Sequence, residues 1–80
     1  MKGINRLTRV LVDFYPGYPP VPAFFLLDGN RFKVDKVISQ TDMRKTFNRC
    51  ILYKCRSAEK IVELRWDRDK DRWFIEKIGE

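Results

Sequence analysis

Between residues 23 and 78 the chain is written in short apolar and aromatic runs with two-residue alternation, separated by turn-forming residues. Val62, Leu64 and Trp66 alternate with Glu63, Arg65 and Asp67, so a strand through them has one apolar and one charged face. Ser57 could instead cap a helix beginning Ala58-Glu59-Lys60. A helix, however, leaves Ile61 and Leu64 off the stripe that carries Val62 and Trp66, and the spacing predicts a strand over Ser57–Trp66. Upstream, Val10, Val12 and Phe14 alternate with Arg9, Leu11 and Asp13, which predicts a first strand within Ile4–Phe14.

Tyr15-Pro16-Gly17-Tyr18-Pro19-Pro20-Val21-Pro22 then interrupts regular structure, because proline removes ladder donors and fixes φ. Its simplest role is a connector across a sheet; a proline-rich ligand for a partner is the alternative. Phe24–Leu27 and Arg31–Ile38 flank Asp28-Gly29-Asn30, a hairpin signal resting on the positive φ that Gly and Asn tolerate. The alternation breaks near Lys36, as at a bulge. Polar Gln40–Thr46 reads as a loop, and Phe47–Arg56 as a strand covered on both sides near its middle. Asp67–Arg72 reads as a solvated hairpin loop before a last strand over Trp73–Ile78, with either Trp73 and Ile75 or Phe74 and Ile78 turned inward.

Five or six short antiparallel strands without a covering helix leave a flat sheet with an exposed face and two edges, and partial closure removes both problems. The expected fold is therefore a single all-β domain over residues 1–80, a small, partly closed SH3-like barrel. An OB-like barrel is the alternative, weakened by the lack of a helix between the third and fourth strands. Eleven aromatic residues in 80 supply large buried areas to a short chain.

Charge is uneven. Residues 1–57 carry eleven Lys/Arg against four Asp, or +7, whereas residues 58–80 carry six against seven, or −1. Such asymmetry suggests a face that meets an anion, although cations also serve solubility alone. No run approaches the roughly 20 apolar residues that span a bilayer, and no separate hydrophobic segment follows Lys2, Arg6 and Arg9. A cytoplasmic protein without membrane association is expected. Cys50 and Cys55, if on one strand, stand about 16 Å apart on opposite faces, too far to bridge. Two free thiols fit a reducing compartment.

The chain has no histidine, which removes the usual neutral-pH general base and the commonest metal ligand. Ser39, Ser57 and both cysteines lack the partner a nucleophilic triad needs. Asp67, Asp69 and Asp71 imitate the start of a calcium loop, but Arg68, Lys70 and Arg72 alternate with them and the following Gly and distal Glu are missing. The residues point to a non-catalytic protein with no cofactor or metal.

The constellation left is basic. With Gln40–Thr46 as a loop, Lys33 is expected near Lys54, with Arg31 and Arg56 beside them, and with Lys36, Arg44, Lys45 and Arg49 gathered near the loop. Like charges across a strand pair repel, and a polyanion relieves the repulsion. Tyr15 and Tyr18 could stack bases. The expectation is a nucleic-acid-binding module; the alternative is a protein-interaction or assembly module using a strand edge or the Pro/aromatic segment 14–25. The order Pro22-x-x-Phe25, Gly29, Phe32-x-Val34-x-x-Val37-Ile38, then Tyr53, Glu63-Leu64, Asp67 and Trp73-x-Ile75 resembles a family of short uncharacterised bacterial β proteins sometimes encoded beside translesion DNA polymerases. The resemblance covers roughly residues 20–78. It implies a barrel and a DNA-linked role, and brings no functional residues with it.

Overall fold

A computed structural model of the chain describes the backbone of residues 2–45 and 48–79 and the side chains of 5–43 and 49–79. Over these residues the chain forms β1 (Lys2–Thr8), β2 (Val10–Asp13), β3 (Val21–Leu27), β4 (Asn30–Lys33), β5 (Lys36–Lys45), β6 (Asn48–Ser57), β7 (Lys60–Asp67) and β8 (Arg72–Gly79), and no helix. The strands make two antiparallel sheets, β1-β8-β7-β6-β5 and β2-β3-β4. These two sheets, and not one continuous closed ladder, are what the strand pairing defines.

The sheets share two runs of chain. The expected single strand Ile4–Phe14 divides at Arg9: β1 pairs with β8 and β2 with β3. At the division the Leu26 N–H donates to the Arg9 carbonyl at 3.0 Å, and the Thr8 hydroxyl donates to the Leu26 carbonyl. The run Arg31–Ile38 divides at Val34-Asp35, where the Val34 N–H donates to the Ala23 carbonyl at 2.8 Å and the Asp35 N–H to the Arg56 carbonyl at 2.9 Å. Bending two strands lets one chain wall both sides of a small core.

That core comprises Phe25 and Val34 from the smaller sheet and its bend, and Ile51, Tyr53, Cys55, Val62, Leu64, Trp73 and Ile75 from the larger. The inward residues recur at every second position, as the alternation over Val62–Asp67 requires. A bulge extends this to β8. Leu64 lies opposite Ile75 while Glu63 lies opposite Lys77, so Glu76 is the extra residue. Trp73 and Ile75 are buried before it, and Ile78 packs on the core after it opposite Val62, so members of both expected inward pairs face the core. Pro22 is also a strand residue, contrary to its expected place in the connector. It is buried where β3 carries one residue more than β2, a position at which proline costs little.

The expected loop Gln40–Thr46 is not a loop. Gln40 to Lys45 continue β5, pairing with β6 from Tyr53 to Asn48. β5 is an outer strand, so one backbone edge is satisfied by β6 while Gln40, Thr41 and Asp42 stay in water, and composition alone misreads it. Thr46 and Phe47, the expected loop end and strand start, lie outside the described residues. The Asp28-Gly29 turn has φ 51° and 80° at the two residues, as a two-residue hairpin of the primed type needs. Nothing lies within 4 Å of a Cβ built on Gly29, so Gly29→Ala meets backbone strain alone. Its expected cost is about 1 kcal/mol, read from the shift of a urea unfolding curve.

Candidate nucleic-acid interface

The connector after β2 is built to display rings. Tyr15-Pro16-Gly17-Tyr18 closes a turn in which the Tyr18 N–H donates to the Tyr15 carbonyl at 3.1 Å, with Gly17 at φ 81°. Proline second and a positive-φ glycine third define a type II turn. Two residues on, Pro20 is buried, and its carbonyl accepts the Tyr53 hydroxyl at 2.6 Å. Tyr53, fully buried on β6, thus ties the larger sheet to the connector. From this fixed base Phe14, Tyr15 and Tyr18 project with 76, 54 and 74% of their surface exposed. The proline-rich stretch is not a free ligand along its length, because Pro20, Pro22 and Phe25 are buried.

The cations fall into two sets. On the larger sheet, Lys36 and Arg56 are direct cross-strand partners, and Lys54 lies between Ser39 and Glu63. Glu63 in turn faces Lys77. Lys36, Lys54, Arg56 and Lys77 are exposed on the face opposite Tyr53, Cys55 and Val62, around one half-buried carboxylate. Sequence reasoning omitted Lys77, whose signal was its place one residue before inward Ile78.

Arg31 and Lys33 belong to the second set. β4 leaves the larger sheet at Val34-Asp35 and joins β3, where Lys33 faces Phe24 and Arg31 faces Leu26. The expected grouping, Lys33 near Lys54 with Arg31 and Arg56 beside them, is therefore not formed by strand pairing: Lys33 and Arg31 pair with β3, whereas Lys54 and Arg56 pair with β5 and β7. The Arg31 guanidinium sits 5.0 Å from the Phe24 ring centre, an attraction that holds it against the sheet. Arg49 is exposed and lies opposite Arg44. The side chains of Arg44 and Lys45 lie outside the described residues.

On the same outward face Arg65 is held in place. It stacks 4.1 Å over Phe74, donates to Glu76 and, at 3.3 Å, to Asn5 Oδ1, and lies 3.7 Å from the Cys50 thiol. Burial alone would lower its pKa, but the hydrogen bonds to Glu76 and Cys50 outweigh that and raise it. Its charge is internal to the fold and not offered to a ligand. Cys50 and Cys55 are both buried, free thiols. Among the described residues no three His, Cys, Asp or Glu side chains cluster as metal ligands would, and no helix is long and apolar enough to cross a membrane.

The chain is thus a small all-β protein with a basic sheet face and an exposed aromatic turn. Comparison with protein-family models, curated proteins and solved structures gave no match to this chain.

Proposed function

We propose that the protein is a non-catalytic module that binds single-stranded nucleic acid, phosphates following Lys36, Lys54, Arg56 and Lys77 and bases stacking on Tyr15 and Tyr18. The observation that carries this reading is the exposure of Phe14, Tyr15 and Tyr18 at one anchored turn, in a fold whose larger sheet also crowds cations on its outward face. Buried rings would have been core; exposed ones give a sequence-tolerant stacking surface. The facing of Lys36 by Arg56 leaves a repulsion that phosphate relieves. We read the two sheets as walls of a partly closed SH3-like barrel. The ring of neighbours from β1/β2 through β3, β4/β5, β6, β7 and β8 back to β1 supports that reading. Arg31, Lys33 and Arg49 extend the same electrostatic field.

Fluorescence anisotropy with labelled dT15 tests the proposal. Four phosphate contacts on a single strand predict a log–log salt slope near −3, hence an affinity loss of about 50-fold between 50 and 200 mM salt. Lys54→Glu with Arg56→Glu should weaken binding at least tenfold at low salt, a factor of about 1.4 kcal/mol. Tyr18→Ala should cost about 1–3 kcal/mol if its ring carries a base. Binding that is absent at 20 mM salt, or indifferent to salt, would overturn the reading.

A further inference from the structure

Among the described residues, two of the three large exposed aliphatic side chains lie together, the third being Ile38 on β5. Leu7 and Leu11, with 59 and 54% of their surface exposed, line an open groove with Phe14 and Leu26. The groove follows β1 and β2 past their junction at Arg9, from the β3–β4 turn to the β7–β8 turn. Two leucines and a phenylalanine left in water along one line are not needed to close the core, which is complete without them.

The charges around the groove do not balance. Of its acids, Asp28 is held by Arg6 at 2.7 Å, and Asp71 accepts the Trp66 indole N–H at 3.0 Å. Arg9 and Arg72 also line it, and among the described residues neither guanidinium has a side-chain partner. β2 has β3 on one side and, among the described residues, no strand on the other. An apolar floor, two spare cations and a free strand edge coincide over a few residues.

Those features select a ligand. A free edge takes an extended chain through main-chain hydrogen bonds, and alternate pockets take its side chains. The guanidinium forks suit carboxylates. A nucleobase is a poorer fit, because the apolar lining is mostly branched aliphatic and, of its two rings, Trp73 is buried and Phe14 alone is exposed. Asp13 ends β2 on the same parity as Arg9 and Leu11, so carboxylates belong at the Arg9 end.

We propose that the groove along β1 and β2 binds an extended segment of a partner protein as an added strand on β2, with apolar side chains on Leu7, Leu11 and Phe14 and carboxylates against Arg9 and Arg72. The groove shares no residue with the set Lys36, Lys54, Arg56 and Lys77, so it stands whether or not nucleic acid binds there.

The probe is a fluorescein-labelled nine-residue peptide of alternating valine and glutamate. The comparators are one with lysine for glutamate and one N-methylated at alternate backbone amides. The glutamate peptide should saturate below about 1 mM, bind at least tenfold tighter than either comparator, and shift the backbone amides of residues 7–14 in a ¹⁵N spectrum. Arg9→Glu with Arg72→Glu should cost at least tenfold, Leu11→Asp should abolish binding, and Lys54→Glu should leave it unchanged. All four positions are exposed, and the comparator peptides test the wild-type protein should a variant misfold. Failure to saturate, equal affinity for the lysine or N-methylated peptide, indifference to Leu11→Asp, or shifts at 7–14 caused by dT15 and not by the peptide would each overturn the proposal.

Discussion

Leu64→Ala should lower the melting temperature by about 10–30 °C. Leu64 lies in β7, inside the larger sheet, and its neighbours in register are Tyr53 on β6 and Ile75 on β8. All three side chains are fully buried. Tyr53 packs on Trp73 with ring centres 5.3 Å apart, and Trp73 on Trp66 at 6.0 Å. Removing three carbons from the centre of this group leaves a void that stiff rings on hydrogen-bonded strands cannot close. Leu→Ala at such sites costs about 2–5 kcal/mol. A domain of this size is stable by about 4–12 kcal/mol in total, so a large part of the folding free energy goes with one side chain. Leu7→Ala, on an exposed residue of an outer strand, should change stability by no more than about 0.5 kcal/mol. Circular dichroism melts of both variants make the check. If Leu64→Ala melts within a few degrees of Leu7→Ala, the core is not centred where the register puts it.

The same contrast between interior and edge governs what the sequence disclosed. β6, β7 and β8 were readable because burial of one face imposes period two: Ile51, Tyr53 and Cys55, then Val62 and Leu64, then Trp73 and Ile75 all turn inward. The Asp28-Gly29 turn was readable because its backbone geometry demands those residue types. The β6–β7 turn carried no such mark. Ala58 and Glu59 adopt φ 48° and 67° there, held in part by the Ala58 N–H donating to Asp35 Oδ2 at 3.0 Å. Asp35 lies 23 positions upstream, and local pattern contains nothing of that support.

Two further features were hidden for related reasons. The polar half of β5 is a strand because β6 lies beside it, which is a fact about a partner and not about Gln40–Lys45 themselves. The division of two long strands between sheets depends on hydrogen bonds at Arg9 and at Val34-Asp35 to residues 17, 11 and 21 positions away, namely Leu26, Ala23 and Arg56. That division is what separates Arg31 and Lys33 from Lys54 and Arg56. The residue types of the candidate interface were therefore legible, while their grouping was not.

Alkali should unfold the protein in a window set by two buried protons. Burial pushes the Cys55 thiol from an ordinary 9.0 up to about 12, and the Tyr53 hydroxyl from 10.0 to about 12. Neither side chain has accessible surface, and on desolvation the neutral form is the one favoured. The folded state therefore keeps protons that the unfolded chain releases. The stability they contribute is complete below pH 9 and is lost as pH rises from 9 towards 12, first through Cys55 and above pH 10 through Tyr53 as well. Three pH units at Cys55 correspond to a loss on the order of 4 kcal/mol by the top of the window. Loss of net charge works in the opposite direction: the formal +6 at pH 7 falls towards zero near the isoelectric point of 9.6, relieving self-repulsion. Urea midpoints followed by tryptophan fluorescence at pH 7, 9, 10 and 11 should be level to pH 9 and then drop steeply. Cys55→Ala should start lower because of its cavity, yet run flatter from pH 9 to 10, with the remaining slope above pH 10 belonging to Tyr53. A midpoint unchanged from pH 8 to 11, or a decline identical in Cys55→Ala, would show that neither proton is held by the core.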